Sequence, residues 1–94
     1  MTELKIPDLA KSDPDSVEIL RTWLSGGLQH VTVKTGVWDD PAAWGLMLAD
    51  LARHIANAYA AGGSDREEAL RRIVQGFQIE MDSPTDEPRG SIEN

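Results

Sequence analysis

The sequence predicts an α+β fold in which three helices pack on a small one- or two-stranded sheet, in the order β-α-β-α-α. Three observations carry that expectation. Residues Trp38 to Gly62 hold the longest helical pattern and two of the three tryptophans, Leu28 to Lys34 alternate as a strand does, and Gly-Gly pairs at 26–27 and 62–63 punctuate the segments between.

The long helix is expected to open at Pro41, because Asp40 can accept from the free first-turn amides and proline at the first helical position loses no bond. Trp44, Leu48, Leu51, Ile55, Ala58 and Tyr59 then recur at spacings of three and four, which lays an apolar stripe along one face. That stripe reads as the core, with Met47, Asp50, Arg53, His54 and Asn57 on other faces. Gly62 and Gly63 stop the helix, since a glycine past the last turn tolerates the conformation that stop motifs need.

Upstream, Thr2 to Ile6 alternates and ends at Pro7, which suits a short edge strand. Asp13-Pro14 repeats the Asp-Pro start, and Val17, Ile19, Leu20, Trp23 and Leu24 supply an apolar arc, so a helix is expected from Pro14 to Ser25 with Gly26-Gly27 as its stop. In the strand Leu28 to Lys34, Gln29, Val31 and Val33 share one face, expected toward the helices. Leu28, His30 and Thr32 share the other, which we expect to meet solvent or a second copy of the chain. Downstream, Ser64 and Glu67 stand in capping-box relation and open a third helix whose buried stripe is Leu70, Ile73, Val74, Phe77 and Met81. Residues 1–82 then form one compact domain, and 83–94, with two prolines and few apolar side chains, form a disordered acidic tail.

Composition narrows function more than it names one. The net charge is −7, with an acid excess of 2 in residues 1–15 and 3 in residues 82–94. Such a chain is repelled at long range by nucleic acid and by anionic membranes, so neither is expected as a partner. No cysteine is present, which rules out disulfides, thiol nucleophiles and thiolate metal sites and fits a cytoplasmic chain. There is no apolar run near 18 residues and no signal-peptide pattern after Met1, so the chain reads as soluble and unprocessed.

Few residues converge on chemistry. Asp50 and His54, four apart on a helix, could begin a metal site or a base pair, but a metal needs further ligands, His30 is the other imidazole, and no H-E-x-x-H spacing occurs. Trp38, Asp39 and Asp40 could receive a cation at the helix mouth. The simpler account makes Asp40 a cap, places Asp39 at the positive end of the helix dipole and folds Trp38 over Val37 or Trp44. Neither glycine pair has a phosphate-loop pattern, and a helix-turn-helix built from the last two helices would present Asp65, Glu67, Glu68 and Glu80 to phosphate. We therefore read no catalytic residue, no metal ligand set and no cofactor.

The segments W-D-D-P-A-A-W-G and L-A-D-x-A-R-H-I-A, with the Asp-Pro start, the G-G-L-x-V strand and the closing P-T-D-x-P run, resemble a family of short bacterial proteins classed as a domain of unknown function. The resemblance covers nearly the whole chain, implies a compact helix-and-strand fold and transfers no catalytic residue. The expectation is a non-enzymatic interaction or accessory module, with a protein partner or self-association as a homodimer through the Leu28, His30 and Thr32 face. The competing expectation is a small ligand-binding protein or hydrolase with a surface or inter-subunit site near Trp38, Asp39, Asp40 and His54.

Overall fold

A computed structural model describes residues 1–85 and 89–93 of the 94-residue chain. The fold is α+β with three helices, as the sequence predicts, but the sheet has three strands. The elements run α1 (Asp8–Ser12), β1 (Leu20–Ser25), β2 (Leu28–Lys34), α2 (Ala42–Ala61), α3 (Arg66–Asp82) and β3 (Arg89–Glu93). They form two units. One comprises Met1–Val37 together with β3, and the other begins at Trp38 and holds α2 and α3.

In the first unit the strand order is β1-β2-β3, with β1 antiparallel and β3 parallel to β2. The segment expected as a helix from Pro14 to Ser25 is instead a turn followed by β1. The Asp13 carboxylate accepts from the Asp15 amide at 2.9 Å and the Asp13 carbonyl from the Ser16 amide at 3.1 Å, so the Asp-Pro pair initiates a turn here and no helix follows. Gly26 and Gly27, expected as a helix stop, have φ of 60° and 75° and form the two-residue loop of a β-hairpin. Positive φ at both loop residues matches the right-handed twist of the flanking strands.

Register places Trp23 opposite His30 and Arg21 opposite Thr32 on one face, and Leu20 opposite Val33 and Thr22 opposite Val31 on the other. The amide of Gln29 donates to the Thr22 hydroxyl at 3.1 Å across the second face. The alternation expected for β2 is therefore the one observed. Its edges are another matter, because β2 is the central strand with a neighbour on each side.

The edge strand expected at Thr2 to Ile6 does not form. That segment lies against β1, where Glu3 pairs with Arg21 at 3.4 Å, and the five-residue α1 follows Pro7. Of the tail expected at 83–94, residues 86–88 and 94 lie outside the described residues, while 89–93 form β3. Ile92 stands opposite Val33, Glu93 opposite Lys34, and Gly90 opposite Val31. A Cβ at Gly90 would fall on the Val31 carbonyl and come within 2.8 Å of the Val31 nitrogen, so only glycine permits this approach.

In the second unit, Gly45, Leu48 and Phe77 line one cleft while Tyr59 and Ala69 line another, so the start of α2 meets the end of α3 and the pair is an antiparallel hairpin. The stop at the Gly-Gly pair is a Schellman turn. The Ser64 amide donates to the Tyr59 carbonyl and the Gly63 amide to the Ala60 carbonyl, both at 3.0 Å, with Gly63 at φ 102°. The cap of α3 is Asp65 rather than Ser64, its carboxylate accepting from the Glu68 amide at 2.8 Å. Both residue types cap well, and the helix starts one residue later than the S-x-x-E spacing suggests. Glu68 in turn takes two hydrogen bonds from Arg71, which hold its carboxyl below the ordinary carboxylate range and raise the guanidinium.

Two substitutions test this description. Gly63→Ala places an L side chain at positive φ and should cost about 1–2 kcal/mol in denaturant unfolding. A loss near zero would mean the Schellman turn does not form in solution. Gly90→Ala should detach β3, read as faster hydrogen exchange at the Thr35 amide, which donates to the Glu93 carbonyl at 2.8 Å. The Lys34 amide, bonded to the Ile19 carbonyl at 3.0 Å, should keep its protection.

Candidate functional site

Four places on the chain can be weighed as a site, and they differ in what they offer. The first is the mouth of α2. The Asp40 carboxylate accepts from the Ala42 amide at 2.9 Å and the Asp40 carbonyl from the Ala43 amide at 3.0 Å, so Asp40 caps a helix that runs from Ala42. Trp38 meets Trp44 edge to face, with ring centroids 5.2 Å apart and planes at 81°. That arrangement sets the positive edge of one ring on the negative face of the other. Asp40 and Trp38 thus take part in the helix start.

His54 belongs elsewhere. Fourteen positions beyond Asp40, it sits roughly 20 Å further along the helix, so the four residues weighed together in the sequence do not meet. The neighbouring Asp50 pairs with Arg53 at 3.4 Å. Among the described residues no group of three or more histidines and carboxylates is placed to hold a metal ion.

The second place is the face of β2 that carries Leu28, His30 and Thr32. All three are partly covered. His30 lies between Trp23 and Arg89 across the sheet, and the hydroxyls of Thr32 and Ser91 are 3.5 Å apart. A second copy cannot extend the sheet along either edge of β2, since β1 and β3 occupy both.

The third is a cleft of about 300 Å³ between Thr2–Ile6 and β1. Its one guanidinium, Arg21, is engaged by Glu18 at 2.9 Å and Glu3 at 3.4 Å, and lies 5.8 Å from the Trp23 ring.

The fourth is a groove of about 380 Å³ along the hairpin. Leu48, Leu51 and Ile55 of α2 form one wall, and Ile73, Val74 and Phe77 of α3 the other. Between them the small Gly45, Ala49 and Ala52 leave the space open. No lining residue is charged or carries a polar side chain, so this surface can exclude water and receive an apolar body, and it supplies no acid, base or nucleophile. The sequence marks Leu48, Leu51 and Ile55 as core. The signal for a groove is present as well, in small residues at 45, 49 and 52 interleaved with the branched ones.

Over residues 3–85 the chain matches the family described as Domain of unknown function (DUF5076). The chain belongs to that family. It is also similar to a solved structure described as "Structure of a putative pyruvate dehydrogenase from the photosynthetic bacterium Rhodopseudomonas palustrus CGA009", at 34% identity, covering 93% of this chain and 90% of that one with a TM-score of 0.72. No curated protein matches the chain. Family membership agrees with the expected resemblance to a domain of unknown function. Among the described residues of this DUF5076 chain, no helix is long and apolar enough to cross a membrane.

The tryptophan pair can be tested directly. Trp38→Ala and Trp44→Ala should each cost about 1–3 kcal/mol, with a coupling near 1 kcal/mol in the double-mutant cycle. Strict additivity in urea titrations would mean that the two rings do not touch in solution.

Proposed function

We propose that this DUF5076 chain is a non-enzymatic interaction or accessory module of the cytoplasm, working through the groove between α2 and α3. The observation that carries this reading is the groove's chemistry: nine lining residues, none of them polar in its side chain, on two helices with much of that surface open. A contiguous apolar patch of this kind marks an interaction surface more often than it marks a reaction centre.

A small hydrolase or ligand binder near Trp38, Asp39, Asp40 and His54 is the competing reading. It needs those groups to converge, and the length of α2 separates His54 from the other three. The enzyme named for the similar structure is a statement about that protein.

The test is site-specific photocrosslinking in the native cell. A photoreactive residue at Leu48 or Leu51 should give one dominant adduct by mass spectrometry, whereas the same residue at Gln75, away from the groove, should give none. Groove positions that yield no adduct, or the same scatter as Gln75, would overturn the proposal.

A further inference from the structure

We propose that the edge of β2 covered by β3 is a peptide-accepting edge, which binds an extended segment of another protein in parallel register, and that β3 is a built-in occupant that such a segment displaces. The proposal concerns the sheet alone and stands whether or not the groove between α2 and α3 has a partner.

None of the five residues of β3 is buried, and its one large apolar side chain, Ile92, is 72% exposed. The strand meets β2 through a parallel ladder that runs from Arg89 opposite His30 to Glu93 opposite Lys34. The Thr35 amide donates to the Glu93 carbonyl at 2.8 Å, and the Thr32 and Ser91 hydroxyls lie 3.5 Å apart. Each backbone bond is exchanged for a bond to water when the strand lifts, so its net worth is small, whereas ordering the segment costs conformational entropy at every residue. The β1–β2 hairpin is better secured. Its Leu28, Val31 and Val33 are partly covered, and a two-residue loop brings its strands together at little entropic cost. β3 therefore opens before β1 does.

An opened β3 leaves a slot one strand wide, with amides and carbonyls of β2 unpaired along it. Room for an incoming strand is assured, because β3 fills the same space in this structure. Strand addition to such an edge is a recurrent way of capturing an extended peptide, in which the backbone supplies affinity and the side chains supply choice. The stretch matched by the family, residues 3–85, contains β2 and ends before β3, so the accepting edge lies within the family's domain and its occupant lies outside it.

The kind of partner follows from what β3 sets against each residue of the edge. Gly90 stands so close to Val31 that a Cβ would fall on the carbonyl, so an incoming segment needs glycine at that place. Next come a hydroxyl opposite Thr32, an apolar side chain opposite Val33 and a carboxylate opposite Lys34, where opposite charges favour pairing. The partner is an extended Gly-Ser-apolar-acidic segment or its threonine equivalent. While β3 is in place, the apparent affinity for such a segment falls in proportion to the fraction of chains that are open.

The test uses the full chain, with the synthetic peptide Arg89–Asn94 as probe and NMR of the β2 amides as readout. Gly90→Ala frees the edge, and on this variant the peptide should shift the amides of residues 31–35 and restore slow exchange at Thr35. Ser91→Pro, which removes a strand amide and fixes φ, should respond in the same way. The unaltered chain should respond at least tenfold more weakly, and a peptide with alanine in place of its glycine should bind to none of the three. The unaltered chain also provides a measurement that needs no variant: the Thr35 amide should be protected from exchange at least tenfold less than the Lys34 amide, which bonds to Ile19 on the β1 side. Equal protection at these two amides overturns the proposal. So does the absence of a response from both freed variants at millimolar peptide, an equal response to the alanine peptide, or equal binding by the unaltered chain. An unaltered chain that sediments at twice 10.3 kDa, and at 10.3 kDa once Gly90→Ala is made, would show that copies exchange β3 and would overturn a foreign segment as the occupant.

Discussion

Ala56 has no exposed surface because it sits at the middle of a row, Ala52, Ala56 and Ala60, whose spacing of four keeps it on one side of α2. Methyl groups let two helix backbones approach closely, and this contact is the constraint from which the rest of the hairpin follows. When the seam is made of alanine, the larger side chains must stand to either side of it. Leu48, Leu51 and Ile55 then flank the seam on α2 while Val74 and Phe77 flank it on α3, and they border a groove where a Leu-rich seam would have placed a closed core. Groove and close contact are one feature seen from two sides.

The ends of the hairpin are fixed by backbone chemistry rather than by burial. Asp40 and Asp65 satisfy first-turn amides, Gly63 closes the stop of α2, and the Arg66 guanidinium donates to Asn57 across the turn. None of these depends on a large core, which is why two helices with a single buried side chain can still have defined limits. The Trp38–Trp44 pair adds an apolar anchor at the end remote from the turn, where no loop holds the helices together.

How much of this was legible differs from element to element. The two long helices were, because caps and stops are local signals and their stripes are long enough for the period of 3.6 to stand out. Leu20 to Ser25 was not, because Val17, Ile19, Leu20, Trp23 and Leu24 satisfy a helical arc about as well as a strand, and in six residues the two periods are nearly indistinguishable. The deciding signal was the Gly26-Gly27 pair, which between two runs with β-branched or aromatic residues is a hairpin loop as much as a helix stop. Arg89 to Glu93 was illegible for a different reason. Its pairing with β2 is non-local, and its single large apolar side chain, Ile92, gives no period. The Asp40 cap and the Trp38–Trp44 contact were readable together, since both follow from the opening of one helix.

The candidate site shows the limit of periodicity most sharply. A stripe at spacings of three and four states that one face of a helix is apolar, and it leaves open what covers that face. Leu48, Leu51 and Ile55 read as interior in sequence and stand at a groove in the structure, and both descriptions agree once a further surface covers that groove. The charge pattern fits the same logic. Five of the seven excess acidic charges lie in residues 1–15 and 82–94, and the groove lining has none. A lining without charge has none to desolvate when that face is covered, while the net charge of the chain as a whole opposes indiscriminate association.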